Sequence, residues 1–350
     1  MTVDEMLVVL ELDKMVQNET ITGDLAGTTL AGAVFVGVDF QHVSFADSCF
    51  ERATFHQCNV ASVDFTKSKL SRSSFTQCQA ESCDFTGLGL MQVTFVDSNL
   101  QGAKFCLSRI TKGMFSKCQL DLADFDGSSV SYTTVVNCSL DQTNFLKTSW
   151  ASVAMCDVDL SVTNWKPVSL SKSVMINCVF RGHNLQGAEM TESSFNGGVF
   201  VEVDFSKSNI THCQFLNSQL SSVKFFAAKM IGCIFTGAAL QNCNFKNAVL
   251  PNANFDQARI SSVDFSSTSL NQARFDSATV ENTMFNDAGL AQADFSNAAI
   301  NNTDFSGADL NFSAFHEVTG NFELSRSQHV LVSGTDEQWL NLQQRTAGPS

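Results

Sequence analysis

The chain repeats every five residues, and the repeat does not slip. From Leu25 to Phe315 every position divisible by five is Leu, Phe, Ile, Val, Met or Trp, with Ala80 the one exception. That is 59 consecutive repeats with no insertion. Two residues before each centre sits a small residue, such as Thr28, Ala33, Ser48, Ala53, Cys58 or Ala103; Leu88 and His183 depart from this. The residue between is usually polar, as at Asp39, Asp64, Asn99, Asp124 and Asp264. A period of five matches neither a helix nor a strand. It matches a three-residue strand followed by a two-residue corner. In the strand the small and the large apolar residues point inward and the polar one between points out. The corner residues are rich in Ser, Asn, Gln, Asp, Gly and Lys, as turns require. A chain that turns every five residues winds into a square coil, and stacked coils bury one continuous core.

The phenylalanines point to four sides independently. The chain has 31 Phe, 3 Trp and 1 Tyr. Of the 30 centres at odd multiples of five, 24 are Phe; of the 29 at even multiples, only Phe40, Phe50, Phe180 and Phe200 are. Phe therefore lines two opposite walls, and Leu, Ile and Val line the other two. Large facing large with small between fills a core to native density.

Runs such as 238–240, 248–255 and 302–310 (NTDFSGADL) resemble the A(D/N)LXX motif of pentapeptide-repeat proteins. The resemblance covers about residues 23–317. It implies an all-β fold, a right-handed quadrilateral parallel β-helix with four pentapeptides per coil, and no catalytic activity. At about 4.8 Å per stacked strand, roughly 15 coils would extend about 70 Å.

Three segments follow. Residues 1–22 read as an N-terminal cap, with Thr2 and Glu5 as a capping box and Met6, Val9 and Leu10 as a short apolar stripe, so a helix is expected. Residues 23–317 are the β-helix. In 318–350 the register fails, since Gly320 and Ser325 sit where apolar residues belong. There 330–332 reads as a last strand, 335–344 as a short helix presenting Trp339, Leu340 and Leu342, and 346–350 as a frayed end. The least regular stretch is 130–190. Val135, Trp150, Met155, Trp165, Met175 and Met190 replace Phe or Leu, and Pro167 and His183 fall within it. It reads as a change of twist or cross-section, or as a bend that fits a partner.

Enzyme chemistry finds no foothold. Of 12 Cys, nine (Cys58, Cys78, Cys83, Cys118, Cys138, Cys178, Cys213, Cys233 and Cys243) occupy the small inward position. They lack the clustered ligands zinc needs and read as small core hydrophobes. Many unpaired core thiols point to a reducing compartment, hence a cytoplasmic location. His42, His56 and His212 point outward without an acidic or Ser partner at motif spacing, and His183 points inward. No Walker loop, dinucleotide fingerprint or HExxH is present. No catalytic, cofactor or metal site is expected. The formal net charge of −14 argues against direct nucleic-acid binding, and no apolar run approaches the length of a membrane span. The first five residues are acidic, unlike a signal peptide.

The period assigns every surface residue to a wall, named here by its first centre. The Leu25 wall has 10 acids and 7 bases, the Leu30 wall 4 and 7, the Phe35 wall 6 and 2, the Phe40 wall 7 and 2. On the Phe35 wall, outward positions are unusually apolar: Val34, Val36, Val96, Met114 and the five favoured for docking, Val136, Val174, Ile176, Leu216 and Ile234. β-branched residues also simply suit strands. On the Leu30 wall, Arg52, Lys69, Arg72, Arg109 and Lys112 lie within four coils, opposed only by Glu51, and read as a contact for an acidic partner or as a solvated face.

Function is therefore expected outside the core: a non-enzymatic scaffold or adaptor binding a protein partner, with a homodimer also open. The layout, a short leader running straight into unbroken repeats, resembles long pentapeptide-repeat proteins of type VI secretion loci. That resemblance implies an accessory or effector-loading adaptor whose partner is a secretion effector or spike component. The runner-up is a DNA mimic binding a type II topoisomerase such as gyrase, another family precedent. The Phe35 and Phe40 walls carry −9 in all. Over about 70 Å this is about one charge per 8 Å, against one per about 1.7 Å in duplex DNA. An effector acting inside a host cell also stays open.

Overall fold

The computed structural model describes residues 1–40, 43–166, 169–328 and 332–334. His42, Pro167, residues 330–331 and the expected helix at 335–344, with Trp339, Leu340 and Leu342, lie outside the described residues, as does 346–350. The fold is a quadrilateral parallel β-helix of about 16 turns, and it separates into two compact units, Met1–Val174 and Met175–Ser350.

The first unit opens with helix α1, Val3–Leu12. Thr2 caps it: the Glu5 amide donates to Thr2 Oγ1 (3.3 Å) and the Thr2 amide donates to Glu5 Oε2 (2.8 Å). This reciprocal pair satisfies donors a helix end leaves free. The strand Met15–Gln17 then pairs in parallel with Val34–Val36, placing Val16 beside Phe35, so winding has begun before Leu25. From there the Phe35 wall builds strand on strand, each a full turn after the last: Phe35, Phe55, Phe75, Phe95, Phe115, Val135 and Met155 are successive partners. The Leu30 wall forms a second parallel ladder through Leu90, Ile110, Val130, Trp150 and Leu170.

The second unit repeats the arrangement. Its longest ladder lies on the Phe40 wall, from Val179–Arg181 through Val199–Val201 and Gln219–Ser221 to Ala299–Asp304 and Thr319–Glu323. Between Asn301 and Thr303 the pairing shifts, and Thr303 faces Phe322 where an unbroken register would bring Glu323. The next centre is therefore Leu324, which is buried, rather than Ser325. Winding continues past Phe315 with a shortened turn, and Ala314–Phe315 pairs with Ser333–Gly334.

Three local devices explain why these residues make this coil. First, the centres are buried and their rings order one another. Phe85 and Phe105 stack along one wall (5.0 Å, 12°), while Phe95 meets Phe105 edge-on from the opposite wall (6.0 Å, 82°). Both geometries suit the ring quadrupole. Second, the polar residue before the centre closes the corner: Asp64 Oδ1 accepts the Thr66 amide (2.7 Å), and Asp204, Asp264 and Asn254 accept in the same way from Ser206, Ser266 and Asp256. Third, the second corner residue is left-handed, with φ near +55° at Gln57, Asn137 and Ser262 as at many glycines. Asn, Asp and Gly adopt this conformation most readily.

The irregular centre stays coiled. Trp150 is buried and its Nε1 donates to Thr148 Oγ1 (2.6 Å), with Trp165 5.2 Å away. At regular corners nearby, the Tyr132 amide donates to Ala151 O (3.0 Å) and the Ser152 amide to Ser171 O (3.0 Å). At the same spacing the Gln142 amide would reach Ser161, but it donates to Val162 O instead (3.2 Å). One corner has thus slipped within this stretch.

Candidate interaction surfaces

The interior holds side chains poised for packing. The thiol of Cys83 donates to Val60 O (2.9 Å), that of Cys213 to Met190 O (3.0 Å), and that of Cys233 to Ile210 O (2.9 Å). Ser218 and Thr268 use hydroxyls at the same position for the same bond. The small inward residue is thus a donor that ties one coil to the centre of the coil before. Burial pushes the thiols of Cys83, Cys213 and Cys243 up to about 12, so they stay un-ionised near neutrality. His183 is buried beside Phe180, with ring centroids 6.0 Å apart. Among the described residues no group of three His, Cys, Asp or Glu is placed to hold a metal ion. No helix among them is long and apolar enough to cross a membrane.

Chemistry specific to this chain therefore lies on the outer walls. On the Phe35 wall of the first unit, the eight positions preceding the centres, Val34 to Val174, are Val, Thr, Ser, Met or Ala. The seven following them, Val36 to Cys156, are Val, His, Thr, Ser or Cys. None is Asp, Glu, Lys or Arg. The backbone ladder holds this uncharged face flat; at its far edge the Val174 amide donates to Val153 O (2.8 Å).

The five residues favoured for docking do not share one environment. Val174 and Ile176 flank buried Met175 in one strand and are each 39% exposed. Val136 is half-buried within the uncharged face. Leu216 and Ile234, in the second unit, are half-buried too. Arg274, Asp256 and Asp276 interrupt the same wall there, Arg274 pairing with Asp256 at 3.0 Å. On the Leu30 wall, Arg52, Lys69, Arg72, Arg109 and Lys112 are all exposed. The corner-closing role of Asp and Asn escaped the sequence reading, although their bias toward one position of the repeat was a signal for it.

These features define a four-sided parallel β-solenoid whose distinctive chemistry faces outward. The chain belongs to the pentapeptide-repeat family. A family model described as a pentapeptide repeat region matches residues 28–105 and 228–305, and one described as pentapeptide repeats (8 copies) matches 199–237. A comparison with curated proteins gives no match. Similar solved structures include HetL, a pentapeptide repeat protein involved in heterocyst differentiation regulation from the cyanobacterium Nostoc sp. strain PCC 7120. It is 15% identical, over 89% of this chain and 97% of its own, with a TM-score of 0.21. QnrB1, a plasmid-mediated fluoroquinolone resistance protein, is 16% identical over 74% of this chain and 99% of its own, with a TM-score of 0.22. A pentapeptide repeat protein from the Arabidopsis thaliana thylakoid lumen is 27% identical over 27% of this chain and 63% of its own, with a TM-score of 0.16.

Proposed function

We propose that the chain is a non-enzymatic scaffold that binds a protein partner along the Phe35 wall of its first unit. One observation carries this reading: a ladder whose positions flanking the centres hold no charge from Val34 to Val174, in a chain of net charge −14, with Asp97, Lys117 and Asp157 only at its corners. Charged residues are depleted at the cores of protein interfaces, and a rigid face loses little entropy on docking. The test is partner capture with Val136→Lys and Val174→Glu. Loss of a captured protein at unchanged melting temperature supports docking; unchanged capture ends it.

The finer form of this proposal is an accessory or effector-loading adaptor of type VI secretion, acting in the cytoplasm. Its support is the layout alone, 59 repeats without an insertion. Deleting the gene should stop export of one effector while leaving the secretion apparatus assembled.

A second reading, a DNA mimic that binds a type II topoisomerase, draws on the Phe40 wall. In the first unit Asp39, Glu81, Asp121, Asp141 and Asp159 occupy that wall with no base among them. Their spacing is still several-fold sparser than the charge of duplex DNA, one per about 1.7 Å. A supercoiling assay decides: no inhibition at micromolar protein removes this reading.

A further inference from the structure

The Leu30 wall of the first unit carries a second, independent surface. Lys69 and Arg72 bracket one coil, and Arg109 and Lys112 bracket the coil two turns on. Between them lies the strand Gly89–Met91, with Gly89 and Gln92 at the corresponding positions. Four cations thus frame a neutral floor. The frame is about 10 Å along the stack, from two strand spacings, and about 10 Å across, from three residues of strand. A Cβ placed on Gly89 would meet nothing within 4 Å, so the floor is open to a ligand's approach. Met91 is 44% exposed beside it.

The frame is fixed by backbone rather than by side-chain contacts. The Arg72 amide donates to Met91 O (2.8 Å), the Arg109 amide to Leu88 O (2.8 Å) and the Lys112 amide to Ser131 O (2.9 Å). Arg72 Nε also donates to Gln92 Oε1 (3.1 Å), which aims its guanidinium along the frame. None of the four, nor neighbouring Arg52, has a carboxylate within ion-pair distance among the described residues. Lys104 on the adjacent Leu25 wall, by contrast, is paired with Asp84 at 3.8 Å. With no carboxylate competing for these cations, an anion that reaches contact distance gains their attraction undivided.

We propose that this frame binds a short acidic segment of a protein partner in polyproline II conformation, with carboxylates three residues apart. Three residues of polyproline II make one turn, so residues i and i+3 share a face about 9 Å apart, close to the two-strand spacing from Lys69 to Arg109 and from Arg72 to Lys112. Carboxylates one helical turn apart sit only about 5–6 Å from each other and match it poorly. The favoured sign is local. The whole chain carries −14, but charges more than about 8 Å away are largely screened at physiological salt. A long polyanion would overrun the patch onto Asp64, Asp84, Asp124 and Asp126 of the adjacent Leu25 wall, so a short peptide fits better than a duplex.

Fluorescence anisotropy of labelled octaglutamate with the full chain in about 50 mM salt tests this. We expect saturable binding that weakens at least tenfold in Arg72→Glu/Lys112→Glu, with unchanged melting temperature. Glu is tolerated at such corners, since Glu192 and Glu202 occupy them with φ of 52° and 56°. Lys69→Ala/Arg109→Ala should weaken binding without touching a corner. At equal charge, a peptide with Glu residues three apart should bind tighter than one with adjacent Glu. No binding by the wild type, equal binding by both variants, or tighter binding of a short DNA duplex overturns the proposal. Val174→Glu leaves this readout unchanged, so its failure and that of the docking face are told apart.

Discussion

The rings of Phe55 and Phe75 lie 4.6 Å apart and within 1° of parallel, one coil above the other on the Phe35 wall. Phe65, on the opposite wall, meets Phe75 edge-on at 5.9 Å and 88°. Each ring is therefore gripped along its wall and across the core. Phe75→Ala leaves a cavity between rings that cannot close, because their backbones are pinned by the ladder. It should cost about 3–5 kcal/mol in chemical denaturation, and Thr76→Ala on the outer face less than about 0.5 kcal/mol. Equal effects at the two positions would contradict a ring-packed interior.

Leu122 is the converse case, an apolar residue that the fold does not favour. It sits at a corner with φ of 60° and is 51% exposed. A branched side chain meets a steric penalty there that Gly avoids. Its amide bond to Asp141 O (2.7 Å) survives substitution. Leu122→Gly should raise stability by up to about 1 kcal/mol, read as a higher denaturation midpoint.

The thiols give a reagent count. Nine of the 12 Cys are buried and none is joined in a disulfide. At mildly alkaline pH an aromatic disulfide reagent should titrate at most Cys49, Cys106 and Cys156 in the native chain, and all 12 after unfolding. Rapid modification of Cys83 or Cys243 in the folded protein would contradict their burial.

Acid should destabilise the second unit. Partial burial opposes ionisation of Asp204, but hydrogen bonds from Ser206 and Gln186 and attraction to Lys224 outweigh it and hold the carboxyl below its ordinary range. At Asp304, burial is outweighed likewise by Ser306 and Asn286. With folded values below unfolded ones, this stabilisation is fully present above the unfolded value, about 3.9, and is lost as pH falls through the folded ones. The melting temperature should decline below about pH 4, and the decline should be shallower in Asp204→Asn/Asp304→Asn.

The coil was legible in the sequence because one physical demand, a large apolar residue facing inward every fifth position, acts on every repeat from Leu25 to Phe315. The continuation through Leu324 was not. A shortened turn after Asn321 moves the next centre to Leu324, so Ser325 reads as failure, while Gly320 keeps its register opposite Ile300 without an apolar side chain. The wall of each outward residue was legible, whereas its exposure was not. Val136, Leu216 and Ile234 are half-buried, while Val174 and Ile176 are exposed. Nor did the period reveal that charges enter the positions flanking the centres of the Phe35 wall only in the second unit, since the division after Val174 is a property of contacts rather than of spacing.

The most direct measurement is quantitative capture from cells that make the protein, comparing wild type with Val136→Lys/Val174→Glu at matched melting temperature. The account predicts that one specific protein is captured by the wild type and at least tenfold less by Val136→Lys/Val174→Glu, whose two positions both lie in the first unit, because a buried unpaired charge at an interface core costs more than about 1.4 kcal/mol. Equal recovery of that protein by both would contradict the claim that the uncharged face is where this solenoid acts.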